Sequence, residues 1–245
     1  GVSGGLGLPI TQGAGAIQLQ VDRRAADGSL AAAQTLALAK VSDAEAVQGM
    51  QLSVAAKRVA SMRRSYSFAA GSPCPVRAAC TTIAVAATQA TTLDLLSVGS
   101  DGTLQPPTQV QIQGELVASR MVDTTLVMVT THRPTLAAER LETQAQRDAA
   151  LATLTAADFL PNLRVNGGAA TLLVQETQCF VQPGNGSLAL EITTITTVDL
   201  TEAGFAATSR CFLGGAEAIY MAPTNLYVAT ARWPQATRDA NGRWV

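Results

Sequence analysis

The chain holds one histidine, His132, in 245 residues. Hydrolytic triads need a base to activate the nucleophile, usually an imidazole, so any such site must be built on His132 or do without it. Aromatics make up 4% of residues, too few for the stacking platforms that hold single-stranded nucleic acid or sugars. Charged residues are 14% with a net charge of −1, which argues against a phosphate-binding surface and hence against nucleic acid as a partner. No apolar run reaches the roughly 18 residues that suggest a membrane-spanning helix. Four cysteines beside one histidine are a poor zinc set, and we expect no metal and no cofactor. Apolar residues, at 47%, suffice for a substantial core.

What is abundant is repetition. QLSVAAKR at 51–58, TLVMVTTHRP at 125–134 and NLYVATARWP at 225–234 read as one strand phrase used three times. Asp27-Gly28-Ser29-Leu30 returns 74 positions later as Asp101-Gly102-Thr103-Leu104. At an offset of 100, Met121, Thr124, Leu126, Thr130 and Pro134 match Met221, Thr224, Leu226, Thr230 and Pro234. TTLDL at 91–95 recurs as TTVDL at 196–200. Self-similarity on this scale, in segments rich in Thr, Val, Ile and Leu, marks repeated β units such as the blades of a propeller. We expect an all-β chain: a β-propeller, partial or small, with antiparallel blades, residues 1–245 forming one propeller domain or a segment of one. At roughly 40–50 residues per blade the length corresponds to about five.

Local signals fill in this plan. Residues 16–39 read as strand, Asp-Gly turn, strand, because Asp-Gly accepts the positive φ of tight hairpins. Residues 91–113 repeat it, with Pro106 and Pro107 delaying the return strand. Residues 171–181 and 188–200 also read as strands, and Gly114, Gly214 and Gly215 precede strands where a turn or close approach is expected. The exception is a helical insertion near 135–163: residues 135–152 are rich in helix formers, and Thr155 with Asp158 resembles a capping box ahead of Pro161. Lys57, Arg58, Arg63 and Arg64 read as a solvated basic loop. Gly1 is neither Met nor the start of a signal peptide, which suggests a matured or shortened polypeptide, and 230–245 reads as strand-turn-strand continuing outward.

Cys74 and Cys80 bracket a short Gly/Ser/Pro-rich loop, while Cys179 and Cys211 flank strand-like segments. Two disulfides, paired 74–80 and 179–211 by sequence proximity among the three possible pairings, would place the protein in an oxidising compartment.

GELVASRM at 114–121 with LVMVTTHRP, TAADFLPNL at 155–163, and GGAEAIYMAPTNLYVATARW at 214–233 resemble a bacterial family of secreted proteins with a C-terminal β-propeller domain. Order and spacing agree over roughly 110–235, whereas Ala222 stands where the family tends to have Ser, and the family domain is about twice as long as this chain. The resemblance implies an all-β protein that is secreted, periplasmic or on the cell surface, and brings no assigned reaction.

Candidate chemistry is sparse. His132 closes a strand, and its repeat counterparts, Arg58 and Arg232, point to a structural position. Asp94 and Asp199, matched in the repeat, suggest a shared turn or backbone hydrogen bond rather than a glycosidase pair. Asp27 and Asp101 read as turn residues, and Asn185-Gly186-Ser187 as a hairpin turn in sequon form. Neither DRRAADG at 22–28 nor SVGSDG at 97–102 carries enough oxygen ligands for calcium. Arg120, among apolar neighbours, is expected to be buried and to clamp one blade to the next through a carboxylate or carbonyl. The composite expectation is a non-catalytic secreted propeller scaffold offering a binding surface. Its distinctive segments would be 135–163 and 71–81, and its partner a protein or the remaining propeller chain. The alternative is an extracytoplasmic hydrolase acting on the propeller axis.

Overall fold

The computed structural model describes residues 17–42, 44–68, 86–135, 143–181, 191–222 and 224–230. Cys74, Cys80, the 71–81 loop, Asn185–Ser187 and residues 231–245 therefore lie outside the described residues.

The chain folds into antiparallel sheets joined in sequence order. The first is a hairpin, β1 (Ile17–Arg24) and β2 (Leu30–Leu38), closed by the Asp27-Gly28 turn. Next come β3 (Ala44–Ser53), β4 (Arg58–Phe68), β5 (Ala86–Ser97) and β6 (Thr108–Gln113), paired in that order. β7 (Glu115–Val122), β8 (Thr125–His132), β12 (Ile192–Asp199) and β13 (Ala206–Leu213) form the next sheet. Between β8 and β12 lie helices α1 (Gln144–Leu151) and α2 (Ala156–Phe159) and the short strands β9 (Asn162–Val165), β10 (Thr171–Leu172) and β11 (Cys179–Phe180). β9 and β10 extend the first large sheet beyond β6 to six strands, and β11 joins β13 in parallel to give the second five. A last hairpin, β14 (Ala218–Met221) and β15 (Leu226–Ala229), follows.

Alternation along the strands decides how the sheets stack. On one face of the six-stranded sheet, Ala60, Met62, Leu93, Leu95, Val110 and Ile112 are buried against Leu116, Leu126, Met128 and Val198 of the five-stranded sheet. Burying a side chain of this size contributes about 2 kcal/mol, so this seam is the main source of cohesion. On the opposite face, Leu96 and Leu104 meet Leu19 and Leu38 of the first hairpin. A third cluster, Leu160, Val174, Ile192 and Cys211 with Phe159, seats α2 at the end of the five-stranded sheet.

The passage between the two large sheets depends on Gly114. β6 and β7 are separated by this one residue, with φ 113°. A Cβ there would lie 2.9 Å from the Thr131 carbonyl oxygen. Its N–H donates to the Gln89 carbonyl at 2.9 Å, and its carbonyl accepts from Thr91 Oγ1 at 2.9 Å. The same device recurs between β13 and β14. Gly214, φ 130°, donates to the Glu191 carbonyl at 2.7 Å and accepts from Thr193 Oγ1 at 2.7 Å. The 100-residue offset is thus a structural repeat, and it puts the last hairpin in the position relative to the five-stranded sheet that β7–β8 holds relative to the six-stranded one.

Several sequence expectations need correction. Residues 51–58 are not a strand homologous to β8; they end β3, turn at 54–57 with Lys57 at φ 52°, and start β4. Hence Arg58, at a strand start, is no counterpart of His132, at a strand end. The 171–181 segment is mostly turns, with two-residue strands at either side of a 3-10 turn at Glu176–Gln178. Within the helical insertion, α1 begins only after Thr143, whose side chain accepts from the Gln146 N–H at 3.3 Å. The second cap holds as read: the Thr155 N–H donates to Asp158 at 2.7 Å.

Candidate functional site

The most concentrated chemistry lies where the first hairpin meets the six-stranded sheet. Glu45 of β3, Arg63 of β4, Asp94 of β5 and Gln109 of β6 sit side by side on the face opposite the main core. Alternation puts Arg63 there, because its neighbour Met62 points into the core. Arg63 is fully buried and grips Asp94 with two bonds, Nε to Oδ2 at 2.7 Å and Nη2 to Oδ1 at 3.1 Å. Its Nη1 donates to Glu45 Oε2 at 2.7 Å, and Nη2 also donates to the Ala39 carbonyl at 3.1 Å, just beyond β2. Gln109 Nε2 donates to Asp94 Oδ1 at 3.2 Å and to the same Ala39 carbonyl at 3.1 Å. Glu45 Oε1 accepts from the Val41 and Ser42 N–H groups at 2.9 and 3.1 Å, pinning the link between hairpin and sheet.

One guanidinium here serves two carboxylates, and polar partners take up what remains. Such a fully bonded network fixes geometry; it leaves no lone pair directed at a substrate. The expected solvated basic loop is therefore corrected. Arg63 is buried within a strand, and Arg64, half-buried, pairs with Glu115. Arg58 donates to the Glu202 carbonyl at 3.1 Å.

Arg120 is exposed, not buried as expected, because it lies on the side of β7 facing away from the main core. Its Nη1 donates to the Met221 carbonyl, so it reaches from β7 to β14. Asp94 and Asp199 prove unlike. Asp199 ends β12 in the open, accepting from the N–H and hydroxyl of Thr201 at 2.9 and 2.7 Å. Its structural kin are Asp27, which accepts from Ser29 at 2.9 and 2.7 Å, and Asp101, which accepts from Thr103 at 3.1 and 2.7 Å. In all three the hydroxyl bond, then the backbone N–H bond, holds the carboxyl below its ordinary range. These are Asx turns that close hairpins.

His132 is half-buried at the end of β8, and burial alone depresses its pKa to about 4. Cys179 and Cys211, opposite one another in β11 and β13 with Cα atoms 4.4 Å apart, are disulfide-bonded. Among the described residues, no three His, Cys, Asp or Glu side chains gather as a metal site requires. No helix among them is long and apolar enough to cross a membrane.

A shallow crevice runs along the hairpin seam, lined by Val21, Asp22, Arg23, Gln34, Asp101 and Thr103 among others. Gln34 acts there as a surrogate strand: its Nε2 donates to the Leu104 carbonyl at 2.8 Å and its Oε1 accepts from the Leu104 N–H at 2.6 Å. Arg23 donates to the Asp101 carbonyl at 3.0 Å. Glu45, Arg63, Gln109 and Gln34 were not singled out by sequence. The available signal was a charged or amide residue at an interior strand position with apolar residues on either side.

Stacked antiparallel sheets, repeated turn chemistry and repeated crossing glycines define an all-β repeat protein whose polar positions hold sheet to sheet. A family model described as Beta propeller domain matches residues 19–243. The chain belongs to that family, and its sheets are the blades. Comparison with curated proteins returns no match, and neither does comparison with solved structures.

Proposed function

We propose that this propeller is a non-catalytic scaffold of an extracytoplasmic protein and that it presents α1 to a protein partner. The observation that carries the reading is the placement of α1. It contributes no buried residue, leaves Leu151 exposed, and projects from a frame fixed at the following segment by Leu160 and Phe159. Binding elements are commonly loops and insertions carried on a rigid scaffold. Two further features support it. The acid–base candidates are committed elsewhere: Asp94 to Arg63, Asp27, Asp101 and Asp199 to turns. The Cys179–Cys211 bond suits an oxidising compartment.

The test replaces Gln144–Leu151 by a Gly/Ser linker. Photo-crosslinking groups are installed on exposed positions of α1 and, as a control, in the 99–104 turn. We expect one discrete protein adduct from α1, absent from the control and lost with the linker, while far-ultraviolet circular dichroism is retained. Equal labelling from both positions would overturn the proposed surface. Turnover of generic ester or glycoside substrates that disappears in His132→Gln would overturn the non-catalytic part.

A further inference from the structure

We infer that two copies of this chain close head to tail into one six-bladed ring, each copy supplying half of a shared blade. The inference concerns how the ring closes and is independent of what α1 binds.

It starts from which halves the two hairpins are. At the 74-residue offset, Leu19, Leu36 and Leu38 of β1–β2 correspond to Leu93, Val110 and Ile112 of β5–β6. The registers agree, Leu19 facing Leu36 as Leu93 faces Val110. Both sets bury themselves against the following sheet. So β1–β2 are the third and fourth strands of a blade. At the 100-residue offset, β14–β15 follow Gly214 as β7–β8 follow Gly114. They are the first and second strands of a blade. In both complete blades the second strand pairs with the third, β4 with β5 and β8 with β12. Among the described residues β15 pairs only with β14 and β1 only with β2. Each hairpin offers the free edge that the other needs.

The faces are complementary as well. β3 and β7 carry a bulge at matching points, after Val47 and after Leu116. Leu116 is 8% exposed and Met121 packs on the main core because the preceding blade covers them. Their counterparts on β3, Val47 and Leu52, are 48% and 57% exposed. At the other end of the chain, Tyr220 and Tyr227 form a cross-strand pair, rings 6.0 Å apart, at 67% and 58% exposure. Pairing β15 of one copy with β1 of the second in the β8–β12 register sets Tyr227 opposite the second copy's Val21. The tyrosine pair then lies on the face turned toward the second copy's Val47 and Leu52. The contact repeats the blade-to-blade seam already present within each copy.

Each copy contributes two complete blades and both halves of a shared kind, three blades in all. Two copies give six, inside the roughly four to eight that close a propeller. The contact is heterologous, and a twofold rotation closes it. Free strand edges and exposed apolar faces are the usual sites of such association.

The test is light scattering on the 245-residue chain, with a cross-link between Val21→Cys and Tyr227→Cys. We expect a mass about twice 25.3 kDa. Mixing the two single-cysteine variants under oxidation should give a reducible dimer that neither gives alone. Tyr220→Arg with Tyr227→Arg, both on exposed sites, should yield a folded monomer. A monomer at every concentration, a dimer unaffected by the arginine substitutions, or a cross-linked ladder beyond two copies would each overturn the inference. A monomer would mean that other polypeptide covers β3 and completes the half blades.

Discussion

Arg63 and Asp94, 31 residues apart in sequence, form a two-bond ion pair with neither side chain exposed to water. The pair is not symmetrical in its consequences, because Glu45 leans on the same guanidinium. Replacing Asp94 by Asn leaves Arg63 balanced by Glu45. Replacing Arg63 by Met leaves two buried carboxylates with no cation. Removing one partner of a buried pair typically costs about 3–5 kcal/mol. We expect Arg63→Met at or above that range and Asp94→Asn clearly below it, measured by urea denaturation at neutral pH. Equal losses would show that Glu45 does not share the charge.

The crossing glycines give a sharper contrast. Gly114 and Gly214 both hold φ values that L-residues rarely adopt, and at Gly114 an added methyl meets backbone rather than a movable side chain. Alanine at either site should cost roughly 1–3 kcal/mol. Gly49 serves as the control, since a Cβ there would sit 3.7 Å from Met62 Cε, an ordinary contact. Gly49→Ala should change the urea midpoint little.

His132 makes stability depend on pH with a defined sign. Its ordinary pKa of 6.5 falls to about 4 in the fold, through burial. Below pH 6.5 the unfolded chain takes up a proton that the folded chain refuses, so stability falls as pH drops from 6.5 and levels off below about 4. At pH 5 the loss is about 2 kcal/mol by linkage. In His132→Gln the drop in urea midpoint between pH 7 and pH 5 should shrink correspondingly. An unchanged drop would assign it to the carboxylates.

How much of this was legible beforehand follows from where the information sits. The Asp-Gly hairpin repeat could be read because turn chemistry is local: Asp27 and Asp101 bond residues two positions away. Gly114 and Gly214 were legible as close-approach sites for the same reason. The TTLDL/TTVDL match misled. The structural repeat aligns Thr91 with Thr193, the hydroxyls that hold the crossing glycines. That register puts Thr196, not Asp199, opposite Asp94. Short phrases of β-formers recur by composition alone, so only hydrogen bonding fixes the register. The Arg63 network was out of reach because its partners lie 18, 24 and 31 residues away and meet only when the strands pair. Arg120 was misjudged because apolar sequence neighbours on a strand point to the opposite face, and say nothing about its own.

The disulfide supplies the last test, because it fastens an element with little else to hold it. β11 contributes two residues in parallel to β13, and a parallel ladder that short cannot persist unaided. Cys179 and Cys211 close a loop of 32 residues, for which the chain-entropy estimate is about 3–4 kcal/mol. Cys211 is also buried in the cluster with Leu160 and Ile192, so both residues should be changed to Ala to avoid leaving a polar group there. The double variant should lose stability of that order. Hydrogen exchange should localise the change, with faster exchange at Cys179–Phe180 and at the outer edge of β13, while β8 and β12 stay protected. Uniform acceleration across the five-stranded sheet would mean instead that the bond secures the whole blade.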